Sequence, residues 1–386
     1  MDIKQLDDNY IAATYGRSPL VVESGKGALV LDVDGKEYID LGSGIGVNCF
    51  GICDDEWIHA VEAQLHKLSH LSNLYYTIPQ IELAQMLCEK TDMKKVFFGN
   101  SGAEANECAI KCARKYSSDK YSEGRSTIIT LINSFHGRTM ATLTATGQDS
   151  MHVNFGPFLE GFKYAPANDF PALEALCDKS VCAVMLELVQ GEGGVIPLDK
   201  EYVASVAKLC SERDILLVID EVQTGNGRTG TLYTYMQYCI TPDIVTTAKG
   251  LAGGLPFGCA MLGEKVEDTF TAGTHGTTFG GNPICAAGAL SILPRLDDRL
   301  LSEVRQKGEY IKAELEGAAG VKSVTGLGLM LGIETEKNAK EIALECLQKG
   351  IIVLTAKSKV RLLPPLNIKQ EELEKAISIL KGVIAQ

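Results

Sequence analysis

Long apolar runs, paired cysteines and an excess of positive charge are all missing from this chain. No stretch of about eighteen apolar residues occurs, so no membrane-spanning helix is expected. No basic-then-apolar segment follows Met1; the opening MDIKQLDDNY is charged and polar, which points to the cytoplasm. Twelve cysteines are present, but none forms a CxxC pair and none stands beside a histidine at zinc-site spacing, so no metal is expected. They are scattered through helical and strand-like patterns, as Cys108 with Cys112 or Cys177 with Cys182, and read as small buried hydrophobes in a reducing compartment. Lys plus Arg number 37 against 49 Asp plus Glu, a net charge of -12, which argues against nucleic acid or anionic membrane as partners. Nucleotide signatures are missing too: DEVQTGNGRTG has neither the GKS or GKT ending of a P-loop nor the GxGxxG entry of a dinucleotide fold. There is no repeat, coiled coil or low-complexity linker.

What is present is a set of short buried-strand patterns with chemistry at their ends. ILLVID, residues 215–220, is apolar until its last residue, the pattern of a parallel strand covered on both faces. Asp220 therefore stands at a carboxyl end, where open α/β sheets place their chemistry. Lys249 follows a second β-branched run, residues 244–247, and precedes the small-residue segment GLAGG, read as flexible. Each residue alone has an ordinary structural explanation. Together they match two requirements of pyridoxal phosphate: a lysine for its aldehyde and a carboxylate that keeps its ring nitrogen protonated.

The remaining pattern is mixed α/β. Residues 28–41 alternate on both sides of Asp34-Gly35, a hairpin signal, and helices are predicted over 57–68 and 79–89. Strand 96–98, turn 99–102 and a helix burying Ala105, Cys108, Ala109 and Cys112 form the first strand-turn-helix unit. Ser101 and Glu104 have capping-box spacing, which by itself accounts for Ser101. Alternatively Ser101, Gly102 and Ala103 offer a hydroxyl and free N–H groups to a phosphate at the helix start. Strand 127–132 leads into NSFHGRT, where Phe135, His136 and Arg138 are either a surface loop or a ring and cation at ligand level. Glu187, inside the apolar run 181–188, needs a partner, since a lone buried carboxylate is costly. Glu192, in the glycine-rich loop beyond, faces either site or solvent, and GTHGTTFGGNP is an anion cradle or a flexible turn. After Pro294, charged helices alternate with short strands; GLGLMLGIE reads as one extended segment, and Arg361, before Pro364-Pro365, as lying near a sheet edge.

As a set, the segments TYGRSPLVV, GKEYIDLGSGI, NLYYTIPQIELAQML, FFGNSGAEANECAIKCARKY, NSFHGRT, VQGEGGV, IDEVQTGNGRTG, TTAKGLAGGLPFG, THGTTFGGNP and VRLLPPLNI run in order across nearly the whole chain. The chain thus resembles the class III aminotransferases of the fold-type I pyridoxal-phosphate superfamily. The resemblance implies an α/β large domain with a mostly parallel sheet over residues 56–292 and a small α+β domain built from 1–55 and 293–386. It implies that Lys249 binds the cofactor's aldehyde and shuttles the proton, that Asp220 meets the ring nitrogen, and that Val222 and Phe135 sandwich the ring. Ser101, Gly102 and Ala103 would hold the phosphate, joined by Thr278 from the partner subunit of a homodimer with shared sites. Gln223 would lie near the phenolic oxygen, with Glu187 as a supporting carboxylate. Arg138 would bind a substrate carboxylate, and Arg361 would clamp the α-carboxylate of glutamate or 2-oxoglutarate, with Glu192 neutralising it in the other half-reaction. Tyr15 aligns with a substrate-contacting tyrosine.

The donor so implied is an ω-amine, N-acetylornithine first, with ornithine, succinylornithine and 4-aminobutyrate as alternatives. A racemase or aminomutase on the same fold, or a cofactor-free scaffold, are the rivals of other classes. Two departures from the family pattern are FGICDDEW, where Gly-His-x-His-Pro is usual, and Leu188 in place of a proline. Neither removes a group with a chemical role, so altered packing is expected.

Overall fold

The computed structural model describes residues 3–121 and 124–386. Its centre is a seven-stranded sheet. In spatial order the strands are Lys95–Gly99, Gly258–Leu262, Ile244–Thr247, Leu216–Asp220, Val181–Leu186, Thr127–Leu131 and Phe162–Ala165. All neighbours run parallel except Gly258–Leu262, which is antiparallel to both of its own. The strands Thr127–Leu131, Val181–Leu186, Leu216–Asp220, Ile244–Thr247 and Gly258–Leu262 are buried along their whole length. That explains their largely apolar and β-branched make-up, since helices cover both faces and leave no solvated side. Each buried Val, Leu or Ile contributes about 1.5–3 kcal/mol, so the strand ends beside them are held on a stiff frame.

Helix Gly102–Tyr121 packs across Gly258–Leu262 and Ile244–Thr247, and helix Lys200–Glu212 against Leu216–Asp220. Helix Pro283–Ile292 packs on Asp55–Leu65 and Ile78–Thr91. The Asp55–Leu65 helix starts earlier than its periodicity suggests because the Asp54 side chain accepts the N–H of Trp57 at 3.0 Å. Among the described residues no helix is long and apolar enough to cross a membrane. The cysteines are free; Cys53 and Cys239 are exposed, Cys88 is partly buried, and the others are buried.

Two smaller sheets flank this frame. One has the order Val22–Lys26, Leu29–Asp32, Glu37–Asp40, Ile351–Ile352, so the two chain ends share a sheet. Its hairpin turns at Asp34-Gly35 as the sequence predicts: Asp32 Oδ1 accepts the N–H groups of Asp34 and Lys36, and Gly35 has φ +78°. The other has the order Val321–Leu327, Met330–Thr335, Lys359–Leu362, Leu354–Ala356.

Four local readings are corrected. GLGLMLGIE is a tight hairpin between Val321–Leu327 and Met330–Thr335, because Gly326 and Gly328 take positive φ in mid-run. Arg361 lies on an interior strand, paired on one side with Gly332 and on the other with Leu354, and its side chain is buried. GLAGG is packed, with Gly250, Leu251 and Ala252 buried in a 3-10 turn. The polar DEVQTGNGRTG connection is buried almost throughout.

Candidate active site

At the carboxyl end of Leu216–Asp220 the Asp220 carboxylate is nearly fully buried and held from three sides. Oδ1 accepts the N–H of Val222 at 2.9 Å; Oδ2 accepts Asn106 Nδ2 at 2.8 Å and faces His136 Nδ1 at 2.8 Å. Asn106 can only point one way, because its Oδ1 takes the Thr246 hydroxyl at 2.7 Å while Nδ2 also reaches the His136 carbonyl at 2.7 Å. Neighbouring strands thus lock the acid, Thr246 being the register partner of Asp220. Burial disfavours a charge on His136, but the hydrogen bond and charge of Asp220, with Glu187 adding, raise its pKa above the ordinary histidine value.

Glu187 sits just past Val181–Leu186 and has the partners its burial demands: it accepts the N–H of Phe135 at 2.8 Å and of Gly191 at 3.3 Å. Burial pushes its carboxyl up to about 7, against the pull of His136. Lys249 follows Ile244–Thr247 with φ +43°, a left-handed conformation that a non-glycine residue adopts at a cost. Burial lowers its amine pKa below the ordinary lysine value, opposed by Glu192 and Asp220. A larger share of free amine follows, the form that attacks a carbonyl carbon.

The other end of the cleft is the start of Gly102–Tyr121. Ser101 Oγ accepts the N–H of Glu104 at 3.1 Å, a cap, while Glu104 reaches back to the N–H of Asn100 at 2.9 Å, one residue short of the capping-box position. The N–H groups of Gly102 and Ala103 stand in the first turn, where no intrahelical acceptor exists. Gly102 is required by packing: a Cβ there would lie 2.6 Å from Val222 Cγ1. Gly258 is required likewise, since its Cβ would lie 2.2 Å from the Ser101 carbonyl oxygen.

Ser101, Gly102, Ala103, Phe135, Arg138, Glu187, Asp220, Val222, Gln223 and Lys249 line one cleft of about 440 Å³. Arg138 is exposed at its edge, its guanidinium 5.5 Å above the Phe135 ring centroid. Glu192 and Arg361 adjoin through Gln223: Arg361 Nη1 donates to Glu192 Oε1 at 2.6 Å and to Gln223 Oε1 at 3.2 Å, and Gln223 Nε2 to Glu192 Oε1 at 3.4 Å. Burial works against the charge on Glu192, but Arg361, then Lys249 and Gln223, hold its carboxyl below the usual range.

Two predicted residues are not brought there within one chain. Tyr15 is 74% exposed with Arg17 over its ring. Thr278 is exposed, and its neighbours His275 to Thr277 border a separate groove with Tyr75 and Tyr76. Asn106 was not singled out from sequence, and His136 was named there only as part of the NSFHGRT loop, with no role given to it. The available signal was a histidine between two named positions and an asparagine on an otherwise apolar helix face, where a buried amide needs partners.

A partly buried amine, a three-donor carboxylate, an aromatic ring and a helix start meeting in one cleft fit pyridoxal phosphate: each part of that molecule has a residue of matching chemistry.

The family model for class III aminotransferases matches residues 10–384. The chain is 52% identical to acetylornithine aminotransferase of Haemophilus ducreyi, over 100% of this chain and 98% of that protein. It is 44% identical to acetylornithine aminotransferase of Methanocaldococcus jannaschii, over 99% and 97%. Among solved structures, ornithine aminotransferase from Toxoplasma gondii ME49 superposes with TM-score 0.95 at 31% identity, covering 99% of this chain and 94% of that one. N-acetylornithine aminotransferase from Stenotrophomonas maltophilia K279a superposes with TM-score 0.86 at 36% identity, covering 99% and 98%.

Proposed function

This chain belongs to the class III aminotransferases, and on that premise we propose that it moves the δ-amino group of N-acetylornithine to 2-oxoglutarate, giving N-acetylglutamate 5-semialdehyde and glutamate. It is a pyridoxal-phosphate-dependent enzyme. When bound, the cofactor supplies an electron sink that lets a proton leave the carbon bearing the amine. The Lys249 amine takes that proton and returns it, and burial, by lowering its pKa, leaves more of it as the free base. Asp220, fixed by Val222, Asn106 and His136, would meet the ring nitrogen and favour its protonated form. Phe135 and Val222 would flank the ring, Gln223 would lie near the phenolic oxygen, and Ser101, Gly102 and Ala103 would hold the phosphate; all of them line the one cleft. Arg138 takes a substrate carboxylate at the cleft edge, and Tyr15 is proposed as a further substrate contact.

The observation that carries this reading is the Arg361–Glu192 pair joined through Gln223 beside Lys249. An enzyme that alternates between an ω-amine and a dicarboxylic keto acid in one pocket needs a cation it can cover and uncover. Conversion of the yellow holoprotein to its amine form with a panel of ω-amines tests the reading: N-acetylornithine is expected to react fastest, and faster conversion by 4-aminobutyrate would overturn it. Ornithine is the second reading, favoured by the closeness of the backbone to the Toxoplasma ornithine enzyme. Borohydride reduction is expected to leave a pyridoxyl adduct on Lys249; its absence there would remove the lysine from its role.

The working form is proposed to be a homodimer in which Thr278 completes the partner's phosphate site. The exposed Leu74, Tyr75, Tyr76, Ile78, Ile81 and Phe279 support this, since an apolar set of that size is better covered than solvated. Sedimentation is expected to give twice the 41.5 kDa chain mass. The division into a large domain, 56–292, and a small one from both chain ends is part of the same reading, as are a cytoplasmic location and a place in arginine biosynthesis.

A further inference from the structure

The polar segment 224–230 is buried throughout and ties two distant parts of the cleft together. On one side, Asn226, with φ +56°, donates Nδ2 to Thr247 Oγ1 at 3.0 Å and to the Ala248 carbonyl at 3.1 Å, the residues immediately before Lys249. On the other side, Arg228 donates Nη1 to the Leu329 carbonyl at 3.2 Å and to the Pro364 carbonyl, three residues past Arg361. The Arg228 carbonyl in turn accepts the N–H of Leu329 at 3.0 Å. Backbone contact closes the arrangement: a Cβ on Gly328 would lie 2.6 Å from the Thr229 carbonyl carbon, and one on Gly227 would lie 3.0 Å from Leu366 Cδ1.

Arg228 is 1% exposed, and burying a cation against carbonyl groups is a poor stabiliser compared with apolar packing of the same volume. What it supplies is direction. Arg228 fixes the end of the strand carrying Arg361, while two residues away Asn226 fixes the turn carrying Lys249. Both hang from one short rigid segment that also continues into Gln223, the direct partner of Arg361.

We infer that residues 225–229 form a clasp setting the separation between the Lys249 amine and the Arg361 guanidinium, and so place the keto carbon of a substrate held by its α-carboxylate on Arg361 in line with that amine. Asn226 and Arg228 are its positioning residues. The inference rests on the roles given above to Lys249 and Arg361.

The test uses full-length cofactor-loaded protein. Asn226→Gly keeps the left-handed backbone and deletes the amide; Arg228→Lys keeps the charge and loses the fork. A misplacement of reacting groups by about 1 Å costs up to about a hundredfold in rate, so tenfold effects are expected. Arg228→Lys should raise KM for 2-oxoglutarate and the calorimetric Kd for glutarate by about tenfold, with kcat within about twofold. Asn226→Gly should lower kcat by about tenfold and leave the glutarate Kd within about twofold. In both, the kcat/KM preference for 2-oxoglutarate over succinate semialdehyde, which lacks the α-carboxylate, should fall by about tenfold. Equal changes in kcat and KM with that preference unchanged would mean the two residues only support the fold, and the inference would be wrong. If Arg228→Lys gives no folded protein, the same preference in Asn226→Gly decides. Arg361→Lys separates the premises: unchanged glutarate binding there refutes the role of Arg361, whereas weakened binding there with none in Arg228→Lys refutes the clasp alone.

Discussion

Glu192→Gln is the substitution whose consequence can be worked furthest from the geometry. Glu192 Oε1 lies 2.6 Å from Arg361 Nη1, and the two side chains are 26% and 3% exposed, so the pair is shielded and hydrogen-bonded. A keto acid whose carboxylate is to reach Arg361 must first displace Glu192, and that cost is subtracted from its binding. A hydrogen bond to a charged group in such a setting is worth about 1.5–3 kcal/mol net. Glutamine keeps the shape and the acceptor oxygen but not the charge, so most of that barrier to the keto acid disappears. At about 1.4 kcal/mol per decade, the ratio of kcat/KM for 2-oxoglutarate to that for the amine donor should rise about tenfold to a hundredfold. Stopped-flow half-reactions followed by cofactor absorbance measure both terms separately. A ratio within about twofold of the parent would refute the reasoning, since it would mean Glu192 does not compete with substrate for Arg361.

Gly102→Ala drives a Cβ to 2.6 Å from the stiff Val222 methyls, so a loss of about 1–3 kcal/mol in stability and about tenfold in cofactor affinity is expected, read by urea melts and cofactor titration. His136→Asn removes the 2.8 Å partner of Asp220; kcat should fall about tenfold or more with the circular dichroism unchanged, and full activity would show that Asn106 and Val222 suffice. Glu221, fully buried and accepting the N–H of Tyr235 at 2.8 Å, has its carboxyl pushed by burial up to about 7 from 4.5. Its folded pKa is raised, so the stability it contributes is present below the unfolded value and lost as pH rises through about 7. Between pH 5 and 8, urea stability should therefore decline by about 3 kcal/mol on its account, and Glu221→Gln should flatten that decline; parallel pH profiles would refute it.

Residues 215–220 and 244–247 were legible as buried strands because strands covered on both faces favour runs of apolar and β-branched side chains. That property is written locally, residue by residue. The same holds for Asp220 and Lys249, whose places at strand ends follow from where the apolar runs stop. The buried glutamate was also legible as needing a partner, though the partner, two backbone N–H groups, was not.

GLGLMLGIE shows where local pattern fails: its glycines fold an apolar run back on itself, and the run has the same composition either way. DEVQTGNGRTG fails for the opposite reason, since polar residues read as solvated until neighbours from three parts of the chain supply their hydrogen bonds. Sequence alone determined which residues could do chemistry and on which strands they ride, because burial and periodicity act over a few residues. Only the tertiary structure decided that Arg361 is interior, that His136 and Asn106 grip Asp220, and that Asn226 and Arg228 link Lys249 to Arg361. The grip on Asp220 joins positions 84 and 114 residues apart, and the link from Lys249 to Arg361 joins positions 21 to 136 apart, for which the chain carries no local signature.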